Sequence, residues 1–291
     1  MIQLVKLEIS KALKTKGFFV AIGIGLVISI LQSYWFYNNV FTNNNEIFEY
    51  LMSLSPTDSH YYDLWFENVF LEGWLGCEVY SPYNNLFYLA MPLLAVLPFG
   101  HSLYMEWNKG YSSQILIRSN RKKYFTAKFL AVFMSGGLAI AIPLIFNLII
   151  TVCYLPIIPG DPVSAQVAVF NIGLWPDLYF NHPLLYAFAY IALDFICGGL
   201  MACMALTVTH FFDSVFAVML FPLLLNCILY YGLDSIEPAS RIYNISWFVN
   251  PGQPGIRNDF NAVIITSGIW FLLLVILHFA SNIKRDVIKE R

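Results

Sequence analysis

Six long apolar stretches alternate with polar segments along the 291 residues of the chain. An α-helix rises about 1.5 Å per residue, so about twenty apolar residues cross the roughly 30 Å hydrocarbon core of a bilayer. Each stretch is long enough for one such helix. The predicted spans lie at approximately 18–37, 86–105, 127–155, 184–212, 214–233 and 262–282. The pattern therefore predicts an all-α polytopic membrane protein whose six-span domain covers 18–282.

Composition supports this fold class. Apolar side chains make up 58% of the chain and charged ones only 12%, against about 25% charged residues in an ordinary soluble domain. The first apolar run is too long for a cleavable signal peptide and lacks a small-residue cleavage site, so we expect it to remain as a span. The five cysteines show no CxxC or Cys/His spacing, so we expect neither a disulfide framework nor a metal site.

Basic residues are distributed unevenly. Fourteen of the sixteen Lys and Arg residues lie in the segments 6–16, 109–128 and 284–291, whereas the loops 38–85 and 156–183 contain none. Because cytoplasmic loops of membrane proteins carry an excess of Lys and Arg, this distribution orients the chain. It predicts that both termini are cytoplasmic and that 283–291 is a cytoplasmic tail.

The N-terminal segment, 1–17, has helical spacing. Its apolar positions near one face are Ile2, Val5, Ile9, Ala12 and Leu13, and its charged positions off that face are Lys6, Glu8, Lys11 and Lys14. This spacing predicts an amphipathic helix on the inner leaflet, with Lys6, Lys11 and Lys14 directed at anionic headgroups. A simple basic flank that only fixes topology is the alternative.

Loop 38–85, on the outer side, mixes acidic and aromatic residues. Its acids are Glu46, Glu49, Asp58, Asp63, Glu67, Glu72 and Glu78. Within it, 63–75 has the spacing of a helix that lies flat at the membrane interface. The loop is either a lid packed on the ends of the spans or an acidic vestibule that attracts a cationic substrate.

A second outer segment, 237–260, contains prolines and glycines that break any long helix. It is a candidate re-entrant piece, because broken backbone is tolerated at membrane depth only when it is buried against protein.

The loop between the second and third predicted spans is patterned as well as basic. It reads E-x-x-K-G-x-x-x-x-I-L-x-x-S-x-R-x-x-Y-x-x-A-K from residue 106 to residue 128. This pattern resembles the loop after the second span of ABC-2 type permeases, the membrane subunits of bacterial ABC exporters. The matching positions are Glu106, Gly110, Ile115, Leu116, Ser119, Arg121 and Lys128. The chain departs from the family at Tyr111 and in lacking a proline near Ser119.

The resemblance implies a short cytoplasmic coupling helix and a mechanism. Two permease copies would face each other around a pathway in the bacterial cell membrane, and each would dock a separate ATPase that binds ATP and Mg. The ATPase-coupling residues it implies are Glu106, Gly110, Ile115, Leu116, Arg118 and Arg121. The exported substrate would be an amphipathic peptide of toxin or bacteriocin type, a lipid or a drug. We expect membrane lipids, but no nucleic acid, among the partners.

The chain contains few residues in patterns that are typical of catalysis or of nucleotide or metal binding. It has no GxxxxGK[ST] sequence, so ATP would have to bind another polypeptide, and this chain is expected to be neither an enzyme nor a cofactor-binding protein. Asp194, the one acid in mid-span, is either a candidate pathway residue or a group bonded to a neighbouring helix. His101, His210 and His278 lie near span ends and are more typical of interface histidines than of a metal or proton site.

Two other functions are compatible with a polytopic chain. An intramembrane lipid-modifying enzyme would need several polar groups converging within the spans, and Asp194 with the histidines is the one candidate set. A secondary transporter would be expected to show inverted repeats and more mid-membrane polar residues, and neither is evident. Substrate identity, transport direction and homodimer versus heterodimer are left open by the sequence.

Overall fold

A computed structural model describes residues 2–43, 46, 49–50, 53, 69–78, 81–118, 120–159, 173–232, 235, 243–251 and 259–283. Every regular element in these ranges is helical. The helices are α1 (Ile2–Leu13), α2 (Lys16–Phe36), α3 (Phe70–Gly73), α4 (Pro82–Val96), α5 (Ser102–Asn108), α6 (Tyr111–Arg118), α7 (Arg121–Tyr154), α8 (Pro176–Asn181), α9 (Pro183–Val208), α10 (Val215–Cys227), α11 (Ile245–Phe248) and α12 (Phe260–Ile283). Wider π-helical turns, Tyr37–Phe41 and Ile228–Gly232, extend α2 and α10.

Five helices of the described residues are long and apolar enough to cross a bilayer. They are Lys16–Phe41, Arg121–Tyr154, Pro183–Val208, Val215–Gly232 and Phe260–Asn282. The all-helical fold and the multi-pass membrane character predicted from the sequence are therefore confirmed at this level.

The predicted second span, 86–105, is not one continuous helix. α4 has 15 residues, which cover only about 22 Å, less than the roughly 30 Å of a bilayer core. It ends at Val96, and a turn over 97–101 leads into the short helix α5. Pro98 lies in this turn, and proline has no N–H with which to continue a helical ladder. An apolar run long enough for a span is thus divided in two.

The centre of the bundle is the pair α7 and α9, which are in more extensive contact than any other two helices. Gly136 of α7 permits this approach, because a Cβ there would lie 2.4 Å from Cβ of Ala202 on α9. Gly198 faces Ile140 in the same interface. The glycine pairs visible in the sequence therefore serve contacts within one chain, as small residues do where membrane helices meet.

The remaining long helices surround this pair. α2 and α4 pack against α7, and α10 and α12 pack against α9. α9 and α10, which correspond to the fourth and fifth predicted spans, are joined by the short connection 209–214 and pack together as a hairpin. α10 is mostly half-buried, with only Val218 and Pro222 buried, in contrast to the deeply buried α9.

At one end of the bundle, residues 69–78 lie buried among the helices. Trp74 donates from its indole nitrogen to the carbonyl of Leu144, at 3.1 Å, in the interior of α7. The flat interfacial helix predicted for 63–75 is therefore wrong for its described part, because Phe70, Leu71 and Trp74 are fully buried. Residues 63–68 lie outside the described residues.

An asparagine network satisfies the broken backbone at this end. Asn147 of α7 accepts from the Leu75 N–H at 2.6 Å, and Asn84 of α4 donates to the Leu75 carbonyl at 2.6 Å. Asn147 also donates to Ser29 and Ser33 of α2. Buried backbone groups need such partners, because leaving one unpaired costs about as much as a lost hydrogen bond.

The network extends to α11, the described helix within the predicted re-entrant segment. Asn250, just beyond α11, donates to Asn84 Oδ1 at 2.9 Å. Asn244 caps the start of α11 by accepting from Ser246 N, and it donates to the Leu229 carbonyl. Residues 243–251 are thus broken, mostly buried backbone, while 236–242 and 252–258 lie outside the described residues.

Of the acids in loop 38–85, Glu46 and Glu49 are exposed, whereas Glu72 and Glu78 are buried. Asp58, Asp63 and Glu67 lie outside the described residues. The burial of Glu72 and Glu78 limits how much of the predicted acidic surface faces solvent.

Candidate functional site

A buried ion cluster lies at the other end of the bundle, which we call the basic end. Lys128 of α7 places its Nζ 2.7 Å from Glu106 Oε1 and 3.1 Å from Glu8 Oε2. The side chains of Lys128 and Glu8 are 0% exposed and that of Glu106 is 15% exposed. The cluster therefore joins three elements that are far apart in the chain: α1, α5 and α7.

Two further groups complete the cluster. The Tyr124 hydroxyl donates to Glu106 Oε2, and Lys11 lies 2.8 Å from Glu8 Oε1. Tyr124 and Lys128 are four residues apart and share a face of α7, as i,i+4 pairs do. With two lysines and two glutamates, the cluster is electrically neutral.

Lys128 Nζ also lies 4.3 Å from the centre of the Phe99 ring, close enough for a cation–π contact. Phe99 belongs to the turn between α4 and α5, so this turn contacts the cluster as well. Burying an ammonium group is tolerated only when its charge is compensated and its donors are bonded. The two carboxylates and the ring together supply that compensation.

The junction of α1 and α2 is fastened to the same turn. The Thr15 hydroxyl lies 2.8 Å from the carbonyls of Ala12 and Pro98, and it accepts from the Phe18 N–H as the N-cap of α2. Gly17 packs so closely on the turn that a Cβ would lie 2.3 Å from the Leu97 carbonyl oxygen. At position 17 the sequence places glycine, the one residue without a Cβ, where a Cβ would not fit.

The charge pattern of α1 differs from the prediction at one residue. Glu8, predicted to lie off the buried face, is fully buried and faces α7, together with Ala12. Its neighbours Lys6 and Lys14 are exposed, while Lys11 is half-buried beside Glu8. The helical spacing predicted the wrong environment for Glu8, because the burial of its charge depends on Lys128, which lies 120 residues away in the chain.

The predicted coupling segment contains a helix, α6, of eight residues. Gly110 precedes it at φ 69°, a left-handed conformation that glycine adopts without steric cost. Ile115 and Leu116 pack against the core of the protein. Ile117, between them and the end of the helix, is 86% exposed, so α6 presents a large apolar side chain to its surroundings.

The two predicted coupling arginines are placed differently. Arg118 is the last residue of α6, and its side chain lies outside the described residues. Arg121 is half-buried at the first position of α7, next to the N-cap Asn120, whose Oδ1 accepts from the Lys122 N–H. Of the predicted coupling residues, Glu106 is the one that the described contacts place in the ion cluster.

Asp194 lies apart from the basic-end cluster, in the interior of α9. The Tyr88 hydroxyl of α4 donates to its Oδ2 at 3.3 Å, and the residue is fully buried. It is therefore bonded to a neighbouring helix, as one of the two sequence interpretations proposed.

The three histidines do not converge. His210 and His278 share Asn282 as a hydrogen-bond partner, and His278 also contacts the Phe125 carbonyl at 3.2 Å. His101 lies in the turn before α5. Within the part of the chain that the structure describes, no group of three potential metal ligands is found.

Sequence reasoning missed several residues of this site. Glu8 and Tyr124 had no assigned role, and Lys128 was only part of a pattern. The four-residue spacing of Tyr124 and Lys128 was a usable signal, because it places both on the face that meets Glu106. Nothing in the sequence pairs Glu8 with Lys128.

Comparisons of the chain with protein-family models, with curated protein sequences and with solved structures gave no match.

Proposed function

We propose that this chain is the membrane-spanning permease subunit of an ATP-driven exporter of the ABC-2 type. The observation that carries the proposal is the contact between Glu106 and Lys128 at 2.7 Å. These residues are the first and last positions of the loop pattern that resembles this family, and α6 lies between them. A short helix held at both ends can pass a displacement to both flanking helices, which is what an ATPase-coupling element requires.

The exposed Ile117 supports the proposal independently. An isolated apolar side chain on a surface helix is unremarkable by itself. On α6, however, it projects from an element that is fixed at its base by an ion pair and packed through Ile115 and Leu116. Such an anchored apolar side chain is suited to insert into a groove on a partner ATPase.

The proposed arrangement has six crossings in a bacterial cell membrane. α4 and α5, interrupted by the 97–101 turn, form the second crossing, and both termini are cytoplasmic. Two permease copies bind two copies of a separate ATPase, which holds ATP and Mg, and this chain contributes no catalytic group. The substrate is an amphipathic peptide, with a lipid or an apolar drug as the alternatives.

The test is purification of the chain in mild detergent from the membranes of its native host. We expect a P-loop ATPase to co-purify in equal amount and to give vanadate-sensitive ATP hydrolysis. Ile117→Asp should remove most of this ATPase. Ile157→Asp is the matched control, because Ile157 is also exposed but follows α7 at the opposite end. Purification without any ATPase, or equal loss in both variants, would contradict the proposal.

A further inference from the structure

A cavity of about 370 Å³ lies beside the ion cluster at the basic end. It is formed where the start of α2 meets the turn between α4 and α5. Its lining residues are Thr15, Lys16, Gly17, Pro98, Phe99, His101, Ser102, Met105 and Glu106. Binding cavities for small ligands have about this volume or more.

Two buried polar atoms in the lining have no hydrogen-bond partner within the described residues: Ser102 Oγ and His101 Nδ1. Ser102 is 7% exposed, so water does not readily satisfy its hydroxyl. A buried hydroxyl without a partner costs about 1–3 kcal/mol. The unpaired Ser102 hydroxyl and the unpaired His101 Nδ1 in one cavity are explained if a ligand with hydrogen-bonding oxygens completes them.

The charge of the cavity favours an anion. Glu106 also lines it, but both of its oxygens are engaged, one by Lys128 and the other by Tyr124. The ion cluster as a whole is neutral, which leaves the exposed Lys16 as the excess charge on the cavity wall. Lys16 and Gly17 are the first residues of α2, and the N–H groups of a first helical turn have no acceptors inside the helix. Thr15 already accepts from the Phe18 N–H of this turn, so what the N-terminus of this 21-residue helix adds to the cavity is the positive end of its dipole.

We propose that this cavity binds a phosphate group, held by Ser102, His101, Lys16 and the first turn of α2. The cavity lies where α2, a membrane-crossing helix, begins. The phosphate of an anionic phospholipid headgroup and free inorganic phosphate share the chemistry that this lining recognises. The inference rests on the geometry of the cavity and does not require the proposed transport function.

The experiment uses the full chain in detergent, stripped of lipid, with native mass spectrometry to titrate dioleoyl phosphatidylglycerol against dioleoyl phosphatidylcholine. Wild-type protein should retain phosphatidylglycerol in preference to phosphatidylcholine. Ser102→Ala should weaken this binding about tenfold, the worth of one hydrogen bond to a charged group. Lys16→Gln should weaken it about fivefold, the worth of one lysine near an anionic headgroup.

Lys123→Gln is the matched control, because it removes the same charge from an exposed position at the basic end that lies outside the cavity lining. Retained binding in this variant supports a built site. Equal loss in Lys123→Gln and Lys16→Gln would mean diffuse attraction and would overturn the proposal. Since Lys16 is exposed, its variant is expected to fold even if Ser102→Ala does not.

A second arm distinguishes the sources of phosphate. If millimolar inorganic phosphate displaces phosphatidylglycerol in a Ser102-dependent manner, the cavity recognises the phosphate group alone. If only the lipid binds with that dependence, the headgroup is the ligand. Binding of neither, or binding unaffected by both Ser102→Ala and Lys16→Gln, would refute the site. Thermal unfolding provides a check, since phosphatidylglycerol at a given concentration should stabilise the wild type more than Ser102→Ala.

Discussion

Replacing Lys128 with methionine tests the ion cluster most directly. Methionine has a similar length and no charge, so the change removes the ammonium group and leaves the hydrocarbon packing largely in place. Two carboxylates would remain at the site. Glu8 would keep only Lys11, whose side chain is 34% exposed, and Glu106 would keep only the Tyr124 hydroxyl.

The expected loss in free energy of unfolding is about 3–5 kcal/mol, the range for removing one partner of a buried ion pair. The lower end applies because each carboxylate retains one other partner. A chain that also carries Glu8→Gln and Glu106→Gln should recover more than half of this loss. Replacing a complete buried charge cluster with neutral side chains is often close to neutral, since no uncompensated charge remains.

The assay is equilibrium unfolding in mixed detergent–SDS micelles, followed by tryptophan fluorescence and helical circular dichroism. Lys123→Met is the control, because Lys123 is exposed on the same helix, five residues before Lys128. Its unfolding midpoint should match that of the wild type. A Lys128→Met variant within about 1 kcal/mol of wild type, the range typical of a surface pair, would refute the burial argument, as would a triple variant no more stable than the single one.

Three further predictions concern other parts of the chain. Gly110→Ala should destabilise the protein by about 1–2 kcal/mol, because an L side chain at a left-handed φ is strained. Gly110→Asn should destabilise it less. Equal unfolding midpoints for the two variants would count against a left-handed conformation at Gly110. Asn147→Leu should lower the free energy of unfolding by about 1–3 kcal/mol, because it leaves the Leu75 N–H buried without its acceptor; an unchanged unfolding curve would contradict this contact. In single-cysteine variants in detergent, Cys153 is exposed and should react with a maleimide at neutral pH. Cys77 should react only after unfolding, because burial removes access and raises the pKa of its thiol, so the thiolate that attacks forms only at higher pH. Rapid labelling of folded Cys77 would show that residues 69–78 are not buried.

The long helices were predictable because the length of a continuous apolar run can be read directly from the local sequence. The runs around 127–155 and 184–212 became α7 and α9 with boundaries shifted by a few residues. The glycines within these runs are visible in the sequence, but only the three-dimensional structure identifies Ala202 as the residue that meets Gly136. The prediction of the second span failed because hydropathy does not show that the helix ends at Val96, before a turn that contains Pro98. A proline in an apolar run does not by itself mark such a break, since Pro92 and Pro143 lie inside α4 and α7.

The site was predictable only in part. Glu106 was identified from a pattern, but its partner in α1 was not, since Glu8 has the spacing of an exposed residue on an amphipathic helix. A charge on such a helix is buried only if an opposite charge is present on the surface against which the helix packs. Asn147 presents the same difficulty, because a polar residue inside an apolar run gives no indication of which backbone it will satisfy. Long-range pairing of polar groups is the information that local periodicity lacks.

α7 connects the two polar assemblies of the protein. Lys128, in its second turn, holds the ion cluster, and Asn147, nineteen residues further along, holds the backbone of Leu75. At about 1.5 Å per residue these anchors are about 28 Å apart, nearly the thickness of a bilayer core. Under the proposed function, a displacement of α6 would reach α7 through Glu106 and Lys128. The buried segment 69–78 would respond because its hydrogen bonds end on the same helix. One continuous helix bonded at both ends therefore gives a physical route from the basic end to the opposite side, and loss of either anchor should interrupt it.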